Sequence, residues 1–340
     1  LPGLALPGTA GRAVRLDRLG PRRAVICVYP LTGRPGTGLP EGWNSVPGAC
    51  GCTAEAPPGA RPSARAGPAS VTRGARDCGQ VYNGSGGRWH SMEYVAVTAL
   101  SHPGLLRRRN EDSLVVGPWT LCATVTENAQ TLVFPPGSPL VVAVADGLGG
   151  HPGGDVASAL VVRRLAGLGS ALATEDDVHD ALTACNRAVY RTAGEDPGSE
   201  LAAMGTTVAG AVVRGDSVMV FNVGDSRVFA APREGLRQVS LDDSPPLEPG
   251  RRTTSIVTQC LGGTRTYRAV RPHVTTLPLS PGDRWLICTD GLTDPVPEDE
   301  IADVLRTHDD GRAAFELWKA AMAAGGPDNV TLAIVRVGGD

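Results

Sequence analysis

The pattern of hydrophobic and polar positions divides the chain near Met92. Before it, neither helical nor strand periodicity lasts more than a few residues. Gly, Pro, Ala and Arg dominate, as in Pro57-Pro58-Gly59-Ala60-Arg61-Pro62. Such a segment buries too little apolar surface to offset its ordering entropy. Residues 1–91 are therefore expected to be a disordered low-complexity extension, or sequence outside the working protein, with one ordered domain over 92–340. Within that domain the pattern predicts strands over 94–100, 113–116, 206–214, 217–223, 227–231, 236–240, 273–277, 284–289 and 330–337. The run 141–145 has no alternation and reads as a strand buried on both faces. Helices are predicted over 155–168, from 174 onward, over 298–306 and over 312–323. In the second helix the Thr174 hydroxyl can cap while Asp177 reaches back. Its Val178, Leu182, Cys185 and Val189 share one face. Residues 117–139 read as a polar excursion and 242–255 as irregular. Runs of strands and runs of helices, not strict alternation, predict an α+β fold in layers. Gly215-Asp216 and Gly224-Asp225 read as hairpin turns.

Charge sharpens this division. The chain of 340 residues has a net charge of −3. Residues 1–91 hold 11 basic and 4 acidic side chains, net +7, whereas 92–340 hold 21 basic and 31 acidic, net −10. An acidic globular part argues against a nucleic-acid partner and suits a protein that gathers carboxylates around divalent cations. Of the eight cysteines, Cys122, Cys185, Cys260 and Cys288 lie in apolar or helical segments and read as small buried hydrophobes in a reducing compartment. Cys27, Cys50, Cys52 and Cys78 match no zinc spacing. No stretch approaches the roughly 20 apolar residues of a membrane span, and the first residues do not form a charged-then-apolar leader. The expected location is the cytoplasm.

Candidate chemistry centres on Val141 to Ser158, VVAVADGLGGHPGGDVAS. A strand delivers Asp146 into a glycine-rich loop whose backbone can approach another group closely. The carboxylate and a neighbouring glycine carbonyl are hard oxygen donors for a metal. From this stretch alone, a strand–turn–helix junction with a capping Asp reads equally well. Three other places repeat the design, with carboxylates beside Gly, Asn or a strand end: Glu111-Asp112, Asp290-Gly291 and Asp328-Asn329. Gathered at one end of a sandwich, these charges would repel unless cations neutralised them. All-oxygen donors favour Mg²⁺ or Mn²⁺ over zinc.

Six motifs occur in order: Arg107-x-x-Asn110-Glu111-Asp112, Asp146-Gly147-Leu148-Gly149-Gly150-His151, Gly205-Thr206-Thr207, Asn222-Val223-Gly224-Asp225-Ser226-Arg227, Thr289-Asp290-Gly291-Leu292-Thr293-Asp294 and Gly326-Pro327-Asp328-Asn329-Val330-Thr331. Together, over about 94–337, they resemble the bacterial metal-dependent serine/threonine protein phosphatases of the type 2C family. The resemblance implies a four-layer α-β-β-α sandwich, with two antiparallel sheets face to face and helices outside. It also implies two Mn²⁺ or Mg²⁺ ions at one end and hydrolysis of phosphoserine and phosphothreonine by a water activated between them. Position by position, it implies that Asp146 bridges the metals. Gly147, by its carbonyl, and Glu111 hold one ion, and Asp290 and Asp328 hold the other. Asp112 stands close by, and Arg107 clamps the substrate phosphate. The implied partners are proteins phosphorylated by a serine/threonine kinase, met by a monomer. Two rivals remain open: a phosphatase of a small phosphorylated metabolite, and a non-catalytic module that binds phosphoproteins.

Some positions depart from the family pattern. His102 stands where relatives commonly carry Asp. The acid that helps hold a third metal is replaced by Ala202 or Ala203, with Glu200 the nearest acid. Only 11 residues separate Ser244 from Ile256, so the flap over the site is expected to be short. Asp225-Ser226-Arg227 is expected to hold a hairpin, His151 to pack or bond within its loop, and Asp294 to cap or orient near Asp290.

Overall fold

The computed structural model describes residues 5–7, 13–15, 92–148, 153–194, 200–232, 235–246, 254 and 256–339. The chain divides into two units, Leu1–Asn83 and Gly84–Asp340. In the first, strands β1 (Ala5–Pro7) and β2 (Ala13–Arg15) pair antiparallel. The expectations for the rest of residues 1–91, including their four cysteines, fall outside the described residues.

In the second unit the chain runs through β3 (Met92–His102), β4 (Ser113–Val116), β5 (Trp119–Cys122), β6 (Gln130–Phe134) and β7 (Leu140–Ala145). Helices α1 (Gly154–Leu168) and α2 (Glu175–Gly194) follow, then β8 (Gly205–Thr206), β9 (Val208–Arg214), β10 (Ser217–Val223), β11 (Arg227–Ala230) and β12 (Arg237–Gln238). After them come β13 (Leu261–Gly262), β14 (His273–Pro278), β15 (Arg284–Cys288), α3 (Asp290–Thr293), α4 (Glu298–Thr307), α5 (Asp310–Ala323) and β16 (Val330–Gly339). Two six-stranded antiparallel sheets form, in the orders β14-β10-β9-β7-β4-β5 and β12-β11-β15-β16-β3-β6. A short pair, β13-β8, stands apart.

Alternation along the strands sorts the core into three layers. Val142, Val144, Val220, Ala211, Ile287, Ala333 and Val335 meet between the sheets. Their sequence neighbours Val141, Ala143, Val212 and Phe221 face outward onto Val161, Val162, Leu165, Leu182, Cys185 and Val189 of α1 and α2. On the other sheet, Leu286, Cys288, Leu332 and Ile334 pack against Leu292, Ile301, Leu305 and Leu317 of α3, α4 and α5. The result is the α-β-β-α sandwich, and β7 is buried along its whole length. The second helix begins as expected: Thr174 N donates to Asp177 Oδ2 at 2.8 Å and Asp177 N donates to Thr174 Oγ1 at 3.2 Å. No helix of the described residues is long and apolar enough to cross a membrane.

The structure corrects several expectations. Residues 117–139 contain two strands, β5 and β6. Each lies at the edge of its sheet, where exposed residues such as Trp119 dilute the apolar signal. Gly215-Asp216 does turn a hairpin between β9 and β10. Gly224-Asp225 does not: β10 pairs with β9 and β14, while β11 lies in the other sheet between β12 and β15. Gly224, at φ +108°, passes over Thr207, where a Cβ would come within 2.6 Å of the threonine Cβ. The chain thereby crosses from one sheet to the other at the acidic end. The strand predicted over 206–214 is interrupted at Thr207, and that over 236–240 shrinks to β12.

Candidate active site

Each acidic residue reaches the site because a strand stops there. β7 ends at Ala145 and hands over Asp146; β15 ends at Cys288, and Asp290 opens α3; Asp328 precedes β16. Glu111 and Asp112 precede β4. The structure brings them together: a cavity of about 380 Å³ is lined by Glu111, Asp146, Gly147, Asp290 and Asp328, with Arg107, Arg108, Arg109 and Thr207. Asp112 is fully buried behind it, accepting from Thr289 Oγ1 at 3.0 Å. Asp225 also lines the cavity, so the sequence reading of Asp225 as a hairpin residue is incomplete. Its neighbours brace the crossing: Ser226 Oγ pairs with Thr207 Oγ1, and Arg227 Nη2 meets Asp242 Oδ2 at 2.7 Å.

Backbone packing fixes the metal-side geometry. Gly147 forms a bridge with Thr206, closed by Thr207 N donating to Asp146 O and Leu148 N donating to Gly205 O. Both bonds belong to Gly147's neighbours, so the ladder makes no use of the Gly147 carbonyl. A Cβ on Gly147 would lie 2.5 Å from the Gly154 carbonyl, and one on Gly154 would lie 2.6 Å from Glu111 Oε2. Only glycines let the start of α1 press on the Glu111 carboxylate. Asn329 ties the opposite side: its Oδ1 accepts from Glu111 N at 2.7 Å, and its Nδ2 donates to Pro103 O at 3.0 Å and Arg109 O at 2.9 Å. Sequence reasoning had no role for Asn329 beyond its place in a motif.

The electrostatics are those of crowded like charges. Burial, then Asp112 and Asp290, push the Asp146 carboxyl well above the usual range. Asp290 is also raised, first by burial, although its hydrogen bond with Asp146 opposes the shift. Burial lifts Asp112 to about 7, against its bonds to Thr331 and Thr289. Asp225 is lifted to about 7 by burial and by Asp290, and Asp294 likewise. Glu111 is raised by burial and by Asp155. Arg107 is the cation paired with these carboxylates: its Nη2 lies 2.7 Å from Asp328 Oδ2, and that bond raises its own pKa.

The donor set fits divalent cations. It is all oxygen, it is mutually repulsive, and Oδ1 of Asp112 and of Asp290 are buried without hydrogen-bond partners. Among the described residues no three His, Cys, Asp or Glu side chains already close into a cage. One reason is that Asp328 is turned onto Arg107.

A sequence profile described as Protein phosphatase 2C matches residues 127–327, more than half of the chain. This chain belongs to the protein phosphatase 2C family. Within that family it is similar to serine/threonine protein phosphatase PstP of Mycobacterium tuberculosis, at 32% identity over 257 residues, which covers 70% of this chain and 44% of PstP. The chain thus spans under half the length of that relative. It is also similar to serine/threonine phosphatase stp of Listeria welshimeri, at 30% identity over 68% of this chain and 92% of the relative. A crystal structure of the catalytic domain of PstP in complex with 2 manganese ions matches with TM-score 0.58 and 30% identity, over 72% of this chain and 99% of that one.

At position 102, where the resemblance leads one to expect Asp, the chain carries His. His102 Nδ1 accepts from Gly104 N at 3.0 Å, as an Asp side chain would in the same turn, and its ring stands edge-on to Trp318. Burial lowers its pKa, which favours the neutral acceptor form. Ala202 and Ala203 sit in the short 3₁₀ turn Glu200–Ala203 and offer no side-chain oxygen. His151 and much of the flap (247–253 and 255) lie outside the described residues.

Proposed function

We propose that residues 92–340 form a metal-dependent phosphatase domain that hydrolyses phosphoserine and phosphothreonine in proteins. One observation carries this reading: carboxylates from four separate strand ends converge with Arg107 on one cavity. Glu111, Asp146, the Gly147 carbonyl, Asp290 and Asp328 would hold two Mn²⁺ or Mg²⁺ ions, as the manganese-bound PstP relative does for two. Bound there, two cations neutralise a phosphomonoester dianion and activate water as nucleophile. Arg107, at the cavity rim, offers a planar guanidinium to the phosphate oxygens. Asp328 orients it until a substrate phosphate competes for the same donors. Asp112 and Asn329 touch no substrate; they hold Thr289 and Glu111 in place. Among the described residues no cysteine lines the cavity, and burial pushes the Cys260 thiol up to about 11 and Cys288 to about 12. The same reading has the domain act in the cytoplasm, as a monomer, on products of a serine/threonine kinase.

The test is hydrolysis of p-nitrophenyl phosphate and of a phosphothreonine peptide by residues 92–340 with Mn²⁺. Turnover of both, abolished by EDTA and restored by Mn²⁺, supports the proposal. Turnover of phosphorylated metabolites but not of peptides would overturn the protein substrate. No turnover of any ester would leave the chain a phosphoprotein-binding module.

A further inference from the structure

A second cavity of about 600 Å³ is lined by Ala184, Arg187, Tyr190, Arg191 and Tyr267. A short run of contacts links it to the carboxylate cavity. Leu148 lines the first cavity and lies 3.3 Å from where a Cβ on Gly263 would sit; Tyr190 lines the second, and its hydroxyl donates to Gly262 O at 3.0 Å. Gly262 and Gly263 therefore lie between Leu148 of the first cavity and Tyr190 of the second. That stretch is firm, because Gly262 N also donates to Asn186 Oδ1 at 2.9 Å, and β13 pairs with β8 beside Asp146.

The lining is unusual for this domain. Residues 92–340 carry a net charge of −10, yet two arginines stand one helical turn apart on α2, at i and i+4, where they repel each other. Both are exposed, and neither has a hydrogen-bond or ion-pair partner among the described residues. Between and beside them stand two tyrosine rings edge to face, centroids 5.1 Å apart, with Tyr267 46% exposed. The Tyr190 hydroxyl is fixed by Gly262 O and Thr264 Oγ1. A pre-placed aromatic wall with two unpaired planar cations suits a tetrahedral dianion on a short side chain. A lone carboxylate would satisfy only one of the guanidinium forks.

We propose that this cavity docks a second phosphorylated residue of a multiply phosphorylated protein substrate while the first occupies the carboxylate site. The proposal rests on the protein phosphatase reading above, which supplies substrates that carry phosphoryl groups. Binding is tested apart from turnover. A doubly phosphorylated threonine peptide is titrated calorimetrically into the domain in EDTA, for the wild type and for Arg187→Ala/Arg191→Ala. A loss of affinity of tenfold or more in the variant is expected, with weaker binding at high salt. Equal affinity in wild type and variant overturns the proposal. So does equal binding of a peptide with glutamate at the second position, which would make the cavity a general acidic-peptide site. With Mn²⁺, the wild type is expected to favour the doubly over the singly phosphorylated peptide in kcat/KM, and the variant to lose that preference with p-nitrophenyl phosphate turnover unchanged. Absence of the preference in an active wild type overturns the proposal. Absence of all turnover strikes the phosphatase reading instead and leaves the calorimetric comparison decisive.

Discussion

Arg107 and Asp328 bind each other at 2.7 Å in the cavity, so the arginine competes with any cation for that carboxylate. Removing it should therefore leave metal affinity unchanged or tighter. Arg107→Ala is expected to raise KM for a phosphopeptide and lower kcat/KM by one to two orders of magnitude, roughly 1.4–2.8 kcal/mol. Steady-state kinetics at saturating Mn²⁺, with Arg108→Ala and Arg109→Ala close to wild type, check this. A crippled Arg109→Ala in place of Arg107→Ala would move the phosphate grip to Arg109, which also lines the cavity. Asp146→Asn should abolish turnover and weaken both ions, whereas Asp290→Asn and Asp328→Asn should weaken mainly one; calorimetric Mn²⁺ titration distinguishes them. Gly104 shows how tightly the same corner is built. Its φ is +76°, and a Cβ there would lie 2.2 Å from Asp328 O. Gly104→Ala should lower both Tm and Mn²⁺ affinity, because Asp328 must shift to admit the methyl group. A Tm change without an affinity change would show that Asp328 tolerates the displacement.

Among the elements, α2 tests a local device. The Asp177 carboxylate accepts from Thr174 N and from the Thr174 hydroxyl, and these bonds lower its pKa. A group whose folded pKa is depressed stabilises above its unfolded value and loses that contribution as pH falls through the folded one. Asp177→Ala should thus melt below the wild type at pH 7, and the gap should narrow once pH drops under the usual carboxylate value near 3.8. Thermal melts across that range check it. This cap was legible in the sequence because both partners lie three residues apart. The buried run of β7 and the amphipathic face of α2 were legible for the same reason: their signal is local. Edge strands β5 and β6 were not, since half their residues meet solvent. The crossing at Gly224-Asp225 was not either, because a glycine turn looks the same whether the next strand pairs beside it or in the other sheet. At the site, carboxylates beside Gly announced themselves, whereas Asn329 as a three-way tie to Glu111, Pro103 and Arg109 depends on residues about 220 positions away.

At the scale of the whole domain, the layers are joined by a few polar anchors through otherwise apolar interfaces. Asp310 at the start of α5 receives Arg336 of β16 in a two-pronged bond at 2.6 and 2.7 Å, and Arg284 of β15 lies 2.7 Å away as an ion pair. Arg284 is only 7% exposed, and its burial lowers its pKa. Asp310→Ala should therefore cost about 3 kcal/mol or more, because it strands a buried cation. Urea denaturation measures the loss, and a change below about 1 kcal/mol would mean that the Leu305 and His308 carbonyls, which Arg284 Nη1 also reaches, suffice to hold it.

The position of β16 between β15 and β3 has a consequence for how the domain is made. The Ser101 and Thr331 hydroxyls that meet across this junction are 230 residues apart. At about 5–20 residues per second, a ribosome needs roughly 10–45 s to travel between them. Throughout that interval β3 lacks its β16 partner, and once made β15 lacks it too, so each flank where β16 will later insert is an open invitation to mispairing. Asp328 and Asn329 travel at the head of β16, so a nascent chain has every other candidate ligand but not the one that completes the site.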